Sequence, residues 1–155
     1  MESIHSQLWI LLDVLIAAVL SAVVGIEREK KDKPSGLRTN MIVGSISCLL
    51  VAISPDLSQF MLSDVPMEMI NVDPIRIIHA IIIGVSFIGA GTILKFKDEN
   101  IIKNLTTAST LLYSAGIGIS VGTKAYVIAI GLTFIIIIIN SLHHLKKIQS
   151  FFTKK

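Results

Sequence analysis

The sequence predicts an all-α integral membrane protein, on three observations: its apolar weight, five long apolar stretches, and an alternating placement of basic residues. Over 155 residues the composition is 52% hydrophobic but only 6% aromatic, with mean hydropathy +0.75. That leaves too little polar surface to cover a soluble domain of this size. A helix needs about 20 mostly apolar residues to cross a bilayer. The five stretches are Leu8 to Ile26, Asn40 to Pro55, Pro74 to Leu94, Leu105 to Gly122 and Ala125 to Leu142. Little chain is left over, so one membrane domain over 1–145 and a short basic cytoplasmic tail over 146–155 are expected, with no soluble carboxyl-terminal domain.

The first stretch has no basic flank ahead of it and no small-residue cleavage site, which marks a retained helix rather than a signal peptide. The second is short and closes on Ser54-Pro55, since the residue before a proline disfavours helix. The third and fourth carry most of the glycines. The fifth contains the unbroken run Ile135 to Ile139; β-branched runs favour strands in water, but the length of this segment and its fit to lipid predict a helix.

Basic residues test the count. Arg28, Lys30, Lys31, Lys33 and Arg38 lie between the first and second stretches, Lys95, Lys97 and Lys103 between the third and fourth, and Lys146, Lys147, Lys154 and Lys155 after the fifth. On the alternate side only Arg76 borders the second connection, and Lys124 stands alone in the fourth. Positive charge marks the cytoplasmic side, so the amino terminus is expected outside and the carboxyl terminus inside. The same retention of basic loops, with attraction to anionic lipid, accounts for a net charge of +3 and a pI near 9.1 without nucleic acid as a partner. The lone Cys48 forms no intrachain disulfide.

The longest connection, about Asp56 to Asp73, carries Asp56, Asp64, Glu68 and Asp73 on the outer side. Carboxylates attract hard cations, but these lack a coordinating periodicity, and no metal site is assigned. Within the spans, Asp13, Ala17, Ser21 and Gly25 recur every four residues and share one stripe. Ser114, Gly118 and Gly122 repeat that interval, and Arg76, Ala80 and Gly84 lead to Gly89 and Gly91. Small residues bring helix backbones together where lipid removes the hydrophobic drive. The first, third and fourth helices are therefore expected to form the packed centre, with the fifth more exposed to lipid. The glycines from Gly84 to Gly91 suit either close packing or local unwinding.

Asp13 is the leading single residue, because a carboxylate inside the bilayer costs on the order of 2.5–3.5 kcal/mol. It lies in the outer half of its span, at the level where Arg76 begins the third helix, and His79 sits one turn deeper. These three form a candidate intramembrane charge site. It is either a cation or proton site that rearranges in a cycle or a static salt bridge that sets helix register. At the inner side, Glu27, Arg28, Glu29, Arg38 and Thr39 form a second candidate motif, with Pro34-Ser35-Gly36 as a turn. Its arginines suit carboxylates, helix-end carbonyls or lipid phosphate, whereas the simpler reading is a basic loop that holds topology. A third candidate comprises Asn104, Thr106 and Thr107 at the start of the fourth helix, which cap its amides or hold an anion there.

Three ordered blocks carry a family resemblance. The first is Gly25-Ile26-Glu27-Arg28-Glu29 with Lys33-Pro34-Ser35-Gly36-Leu37-Arg38-Thr39. The second is Asp73-Pro74-Ile75-Arg76 running into Gly84 and Phe87-Ile88-Gly89-Ala90-Gly91-Thr92-Ile93. The third is Leu105-Thr106-Thr107-Ala108 with Ala115, Ile117 and Gly118. The chain resembles the MgtC/SapB family of bacterial inner-membrane proteins over nearly all of its membrane domain. It departs from the family pattern at Ser86, at Leu112, and at Asn104, where a glycine is usual. The resemblance implies a multi-pass inner-membrane protein linked to magnesium limitation and intracellular survival. It also implies a non-enzymatic regulator of another membrane complex, such as the proton-translocating ATP synthase.

The alternative is a small oligomeric cation or proton transporter or channel. Five helices without an inverted repeat argue against a self-contained alternating-access carrier, and small-residue faces suit a homo-oligomer. No P-loop, dinucleotide fingerprint, nucleophile triad or paired-cysteine pattern is present. His143 and His144 are adjacent and so occupy different helix faces. An enzyme is not expected, nor is a cofactor.

Overall fold

The computed structural model describes residues 4–61, 73, 75–96 and 101–152, with side chains over 4–60, 73, 75–93 and 104–140. It consists of α1 (Ile4–Glu29), α2 (Leu37–Ala52), α3 (Ser54–Met61), α4 (Ile75–Thr92), a ribbon β1 (Leu94–Phe96) and β2 (Ile101–Lys103), α5 (Leu105–Gly122) and α6 (Tyr126–Phe152). Among the described residues all five expected spans are helical over most of their length. Large side chains cover the outside, including Phe87 at 82% and Val127 at 85% exposure, a surface that suits lipid and not water. The protein is an all-helical membrane protein apart from the ribbon. By length and composition α1 and α4 are each able to cross a bilayer, and α2 with α3, bent by 40°, makes a third candidate as a broken span.

Several boundaries differ from expectation. The basic connection between the third and fourth helices is not a plain loop: Leu94 pairs with Lys103 and Phe96 with Ile101 in antiparallel register. The chain does not enter a loop at Pro55, because α3 begins at once and Pro55 takes an early helical position, where its missing amide costs little. Asp56 is therefore helical, while Asp64, Pro66, Glu68, Pro74 and Lys97 lie outside the described residues. At the other end α6 continues to Phe152, past the expected Leu142 and through most of the presumed tail.

The packed centre also differs. It is α1, α2 and α5, with α4 and α6 flanking; α2 takes the place expected for α4. The α1 stripe of Asp13, Ala17, Ser21 and Gly25 is buried as the four-residue spacing requires. A Cβ on Gly25 would come within 2.5 Å of Leu37 Cα, one on Gly44 would collide with Ser21, and one on Gly118 would collide with the Gly44 carbonyl oxygen. One on Gly122 would lie 2.8 Å from the Cys48 carbonyl oxygen. The pairs Asn40 with Ser114, Gly44 with Gly118 and Cys48 with Gly122 advance four residues at a time along both helices, so α2 and α5 run parallel through a seam of small residues. Van der Waals contact through such seams is what associates helices in lipid. Gly89 packs on Ala108, but Gly84 and Gly91 face open space, which corrects their assignment as packing residues.

Two apolar clusters complete the core. Ala17, Val24, Cys48, Ile117, Val121, Ala129 and Ile136 join α1, α2, α5 and α6, and Val43, Ile81, Val85, Leu111 and Ala115 join α2, α4 and α5.

Candidate functional site

Two polar clusters interrupt this apolar bundle, one toward each end of α1. Asp13 and Arg28 are separated by about 22 Å at 1.5 Å per residue. That is less than the roughly 30 Å hydrocarbon thickness of a bilayer, so the apolar helix between them cannot place both clusters fully in water.

The cluster toward the amino-terminal end of α1, the outer one in the expected orientation, centres on Asp13, whose side chain is 3% exposed. Its Oδ2 forms an ion pair with Lys124 Nζ, and Tyr126 Oη donates to Oδ1 at 2.7 Å. The turn between α5 and α6 delivers both partners. Lys124 adopts φ 63°, and the Lys124 and Ala125 amides donate back to the Val121 and Ser120 carbonyls at 2.8 Å. That pair of bonds is the Schellman helix end, whose left-handed position normally takes glycine. Here the left-handed residue is a lysine, at a cost of about 1 kcal/mol, and its side chain returns to α1. The hydrogen bond to Asp13 is the largest influence raising the Lys124 ammonium above the ordinary lysine value.

The expected partners of Asp13 stand elsewhere. Arg76 is exposed and lies 3.8 Å from Asp73, three residues earlier on its own segment, and His79 is exposed. A shared depth on two helices does not make two side chains face each other, and α4 packs on α2 and α5 rather than on α1. Lys124 had one sequence signal: it is the single cation of its connection, on the side otherwise poor in Lys and Arg.

The cluster at the carboxyl-terminal end of α1, the inner one in the expected orientation, begins with Arg28, 2% exposed, whose Nη2 donates to Thr107 Oγ1 of α5. Glu27 Oε1 pairs with Lys31, and Lys31 Nζ also donates to the Asn140 carbonyl of α6 at 3.2 Å. Glu29 Oε2 accepts the Leu37 amide at 3.1 Å, capping α2 where Gly36 has no side chain to do so. A second Schellman end closes α1: Asp32 takes φ 48°, and the Asp32 and Lys33 amides each donate at 3.1 Å, to Glu29 and Arg28 respectively. Ser35, at φ 58°, then turns the chain into α2.

Of the inner-motif residues, Arg28 ties α1 to α5 and Glu29 ties it to α2, Glu27 pairs with the Lys31 that reaches α6, and Arg38 is exposed and Thr39 half-buried. Asn40, which sequence reasoning did not single out, is fully buried. Its Nδ2 donates to Ser35 and Gly36 carbonyls at 2.7 and 2.9 Å, and its Oδ1 accepts from Ser114 at 2.7 Å. Its signal was an amide at the first residue of an apolar stretch. Asn104 adopts the left-handed φ 68°, and its side chain makes no cap to α5. It donates instead to the Thr92 carbonyl at 3.1 Å, closing the end of α4. Thr106 is exposed and Thr107 serves Arg28, so this trio does not assemble as one site. Among the described residues no three His, Cys, Asp or Glu side chains gather to hold a metal.

Comparison with known proteins places this architecture. The MgtC family model matches residues 14–150. Protein SapB of Bacillus subtilis (strain 168) is 38% identical over 117 residues, 76% of this chain and 49% of its own length. "Putative magnesium transporter YhiD" of Escherichia coli (strain K12) is 33% identical over 134 residues, 85% of this chain and 60% of its own. Protein MgtC of Salmonella typhimurium (strain LT2) is 33% identical over 136 residues, 85% of this chain and 51% of its own. The chain thus spans about half the length of the curated relatives it matches. No solved structure matches it. Both polar clusters fall inside or at the edge of the matched region, and the protein belongs to the MgtC family.

Proposed function

We propose that this protein is a multi-pass protein of the bacterial inner membrane, with its amino terminus outside and five helices crossing. We further propose that it acts as a non-enzymatic regulator linked to magnesium limitation rather than as a conduit for the ion. The observation that carries this reading is the Asp13–Lys124–Tyr126 cluster. A carboxylate that conducts a cation must offer its charge to the ion, and the charge of Asp13 is already met by an ammonium and a phenol. Residues 28, 107 and 140 gather at one end of the bundle and residues 13, 124 and 126 toward the other, an arrangement that supports alternating passage of the helices. The basic loops lie at the first of these ends. The magnesium link rests on the relatives' names, and a partner such as the ATP synthase belongs to the same proposal.

The second reading, a small oligomeric cation or proton transporter, draws on the transport named for YhiD and on the 54% exposure of the Lys124 side chain, which leaves the ammonium room to release Asp13. Reconstitution into sealed vesicles under an imposed magnesium or proton gradient separates the two. Regulation predicts no flux above protein-free vesicles and a partner recovered by crosslinking in native membranes. Flux that Asp13→Asn abolishes would overturn it.

A further inference from the structure

α4 buries only Ile81, Val85 and Gly89, the last of these against Ala108 of α5. Beside that contact an apolar groove of about 390 Å³ runs between α4 and the pair α2 and α3, with Ile46, Leu50 and Leu57 on one wall and Ile77, Gly84 and Ile88 on the other. Gly84 leaves the α4 wall bare, since a Cβ there would meet nothing of its own chain within 4 Å. The outward face of the same helix carries a knob, with Phe87 at 82% and Ile83 at 70% exposure. At about 3.6 residues per turn, Arg76, Ile83 and Phe87 share one stripe of α4, and Ala80, Gly84 and Gly91 lie between that stripe and the groove.

We propose that the protein pairs with a second copy of itself through α4, about a two-fold axis along the membrane normal. A knob and a groove on either side of one helix edge complement each other under such an axis, because the same patch then serves both copies. Set edge to edge, the two α4 helices direct Phe87 and Ile83 of each copy into the groove of the other. Depth agrees, since the axis keeps every residue at its own level and Phe87 falls between Gly84 and Ile88 of the groove wall. Small residues along the edge let the backbones approach, and packing of this kind is what associates helices in lipid. Charge agrees as well. The Arg76 side chain is 82% exposed and reaches Asp73 of its own chain only at 3.8 Å, whereas the two-fold sets each Arg76 toward the Asp73 of the other copy. A lipid tail matches the groove but neither Phe87 nor the charges; a second copy matches all three.

The test uses the full chain with one fluorescent label, reconstituted into liposomes over a series of falling protein densities, with photobleaching steps as the count of copies. Two-step bleaching that gives way to single steps on dilution is expected. Phe87→Ala and Gly84→Leu should each raise the density needed for half-association about tenfold, the scale of one central contact. Both positions are open in the single chain, so the thermal unfolding midpoint of the diluted protein should stay unchanged. Asp73→Arg and Arg76→Asp should each weaken pairing a few-fold, on the scale of exposed ion pairs, and should recover it when mixed with one another. The mixture restores both contacts between copies while each chain's own contact stays repulsive. Single steps at every density, clusters of more than two steps, unshifted association in both Phe87→Ala and Gly84→Leu, or no recovery in the mixture would overturn the proposal.

Discussion

The two polar clusters solve the same problem differently. At the outer end one buried carboxylate meets one cation and one phenol, so charge and hydrogen bonding both close. At the inner end a buried guanidinium meets a threonine, its neighbouring carboxylate is half used, and an amide is left over. The outer partner arrives on a turn held in a left-handed conformation, so backbone strain is part of how that pair is made. The inner end also has left-handed residues, Asp32 and Ser35, but Glu27, Arg28, Thr107 and Asn140 themselves lie on regular helix, and the imbalance there is in the bonding. A closed pair suits register and orientation, whereas an open network leaves desolvation uncompensated.

The small-residue seam joining the clusters is where the largest effect is expected. Gly118→Ala places a Cβ against the Gly44 backbone and should cost about 3 kcal/mol by overpacking, whereas Gly84→Ala enters open space and should change stability by less than about 0.5 kcal/mol. Equilibrium unfolding in mixed micelles measures both. Equal costs would mean that the seam does not hold the two clusters in register.

Asymmetry within the outer pair comes next. Lys124→Met leaves a buried carboxylate facing only Tyr126 and should cost about 3 kcal/mol. Asp13→Asn leaves a half-exposed ammonium that water solvates, at about 1 kcal/mol. The double variant should resemble Asp13→Asn alone, and strictly additive costs would show that the two groups do not interact. Because the Lys124 value is raised, the contribution of the pair is fully present below the ordinary lysine value of 10.5 and is lost as pH rises through the higher folded-state value. An alkaline unfolding series on wild type and Lys124→Met checks that sign.

Smaller effects separate strain from charge and open from closed. Lys124→Gly removes the ammonium but relaxes the left-handed turn, so it should be more stable than Lys124→Met by about 1 kcal/mol. Asn140→Leu should be neutral or stabilising by up to about 1 kcal/mol, since it removes a donor that bonds nothing. A loss of stability on equilibrium unfolding would show the inner network to be closed, and the contrast between the two ends would fail.

Much of the architecture was legible. Apolar length placed five helices, and the four-residue recurrence of Asp13, Ala17, Ser21 and Gly25 placed a buried stripe, because helix periodicity maps spacing directly onto a face. Other features were not. Asp56 to Met61 looked like connection because one proline was taken as a stop, although proline fits the first turn of a new helix. Gly84 and Gly118 carry the same local signal, yet only Gly118 meets a neighbour.

Sequence alone determined the helical membrane class, the ends at which charge collects, and the faces that small residues line, since these follow from transfer energy and helical repeat along a single chain. Which faces meet was decided by tertiary structure. Depth along a helix says nothing about rotation around it, so Arg76 stayed at the surface with Asp73 while Lys124, turned back by a left-handed residue, reached Asp13. The close approach of α1, α2 and α5 through Gly25, Gly44 and Gly118 likewise exists only when three helices are assembled together.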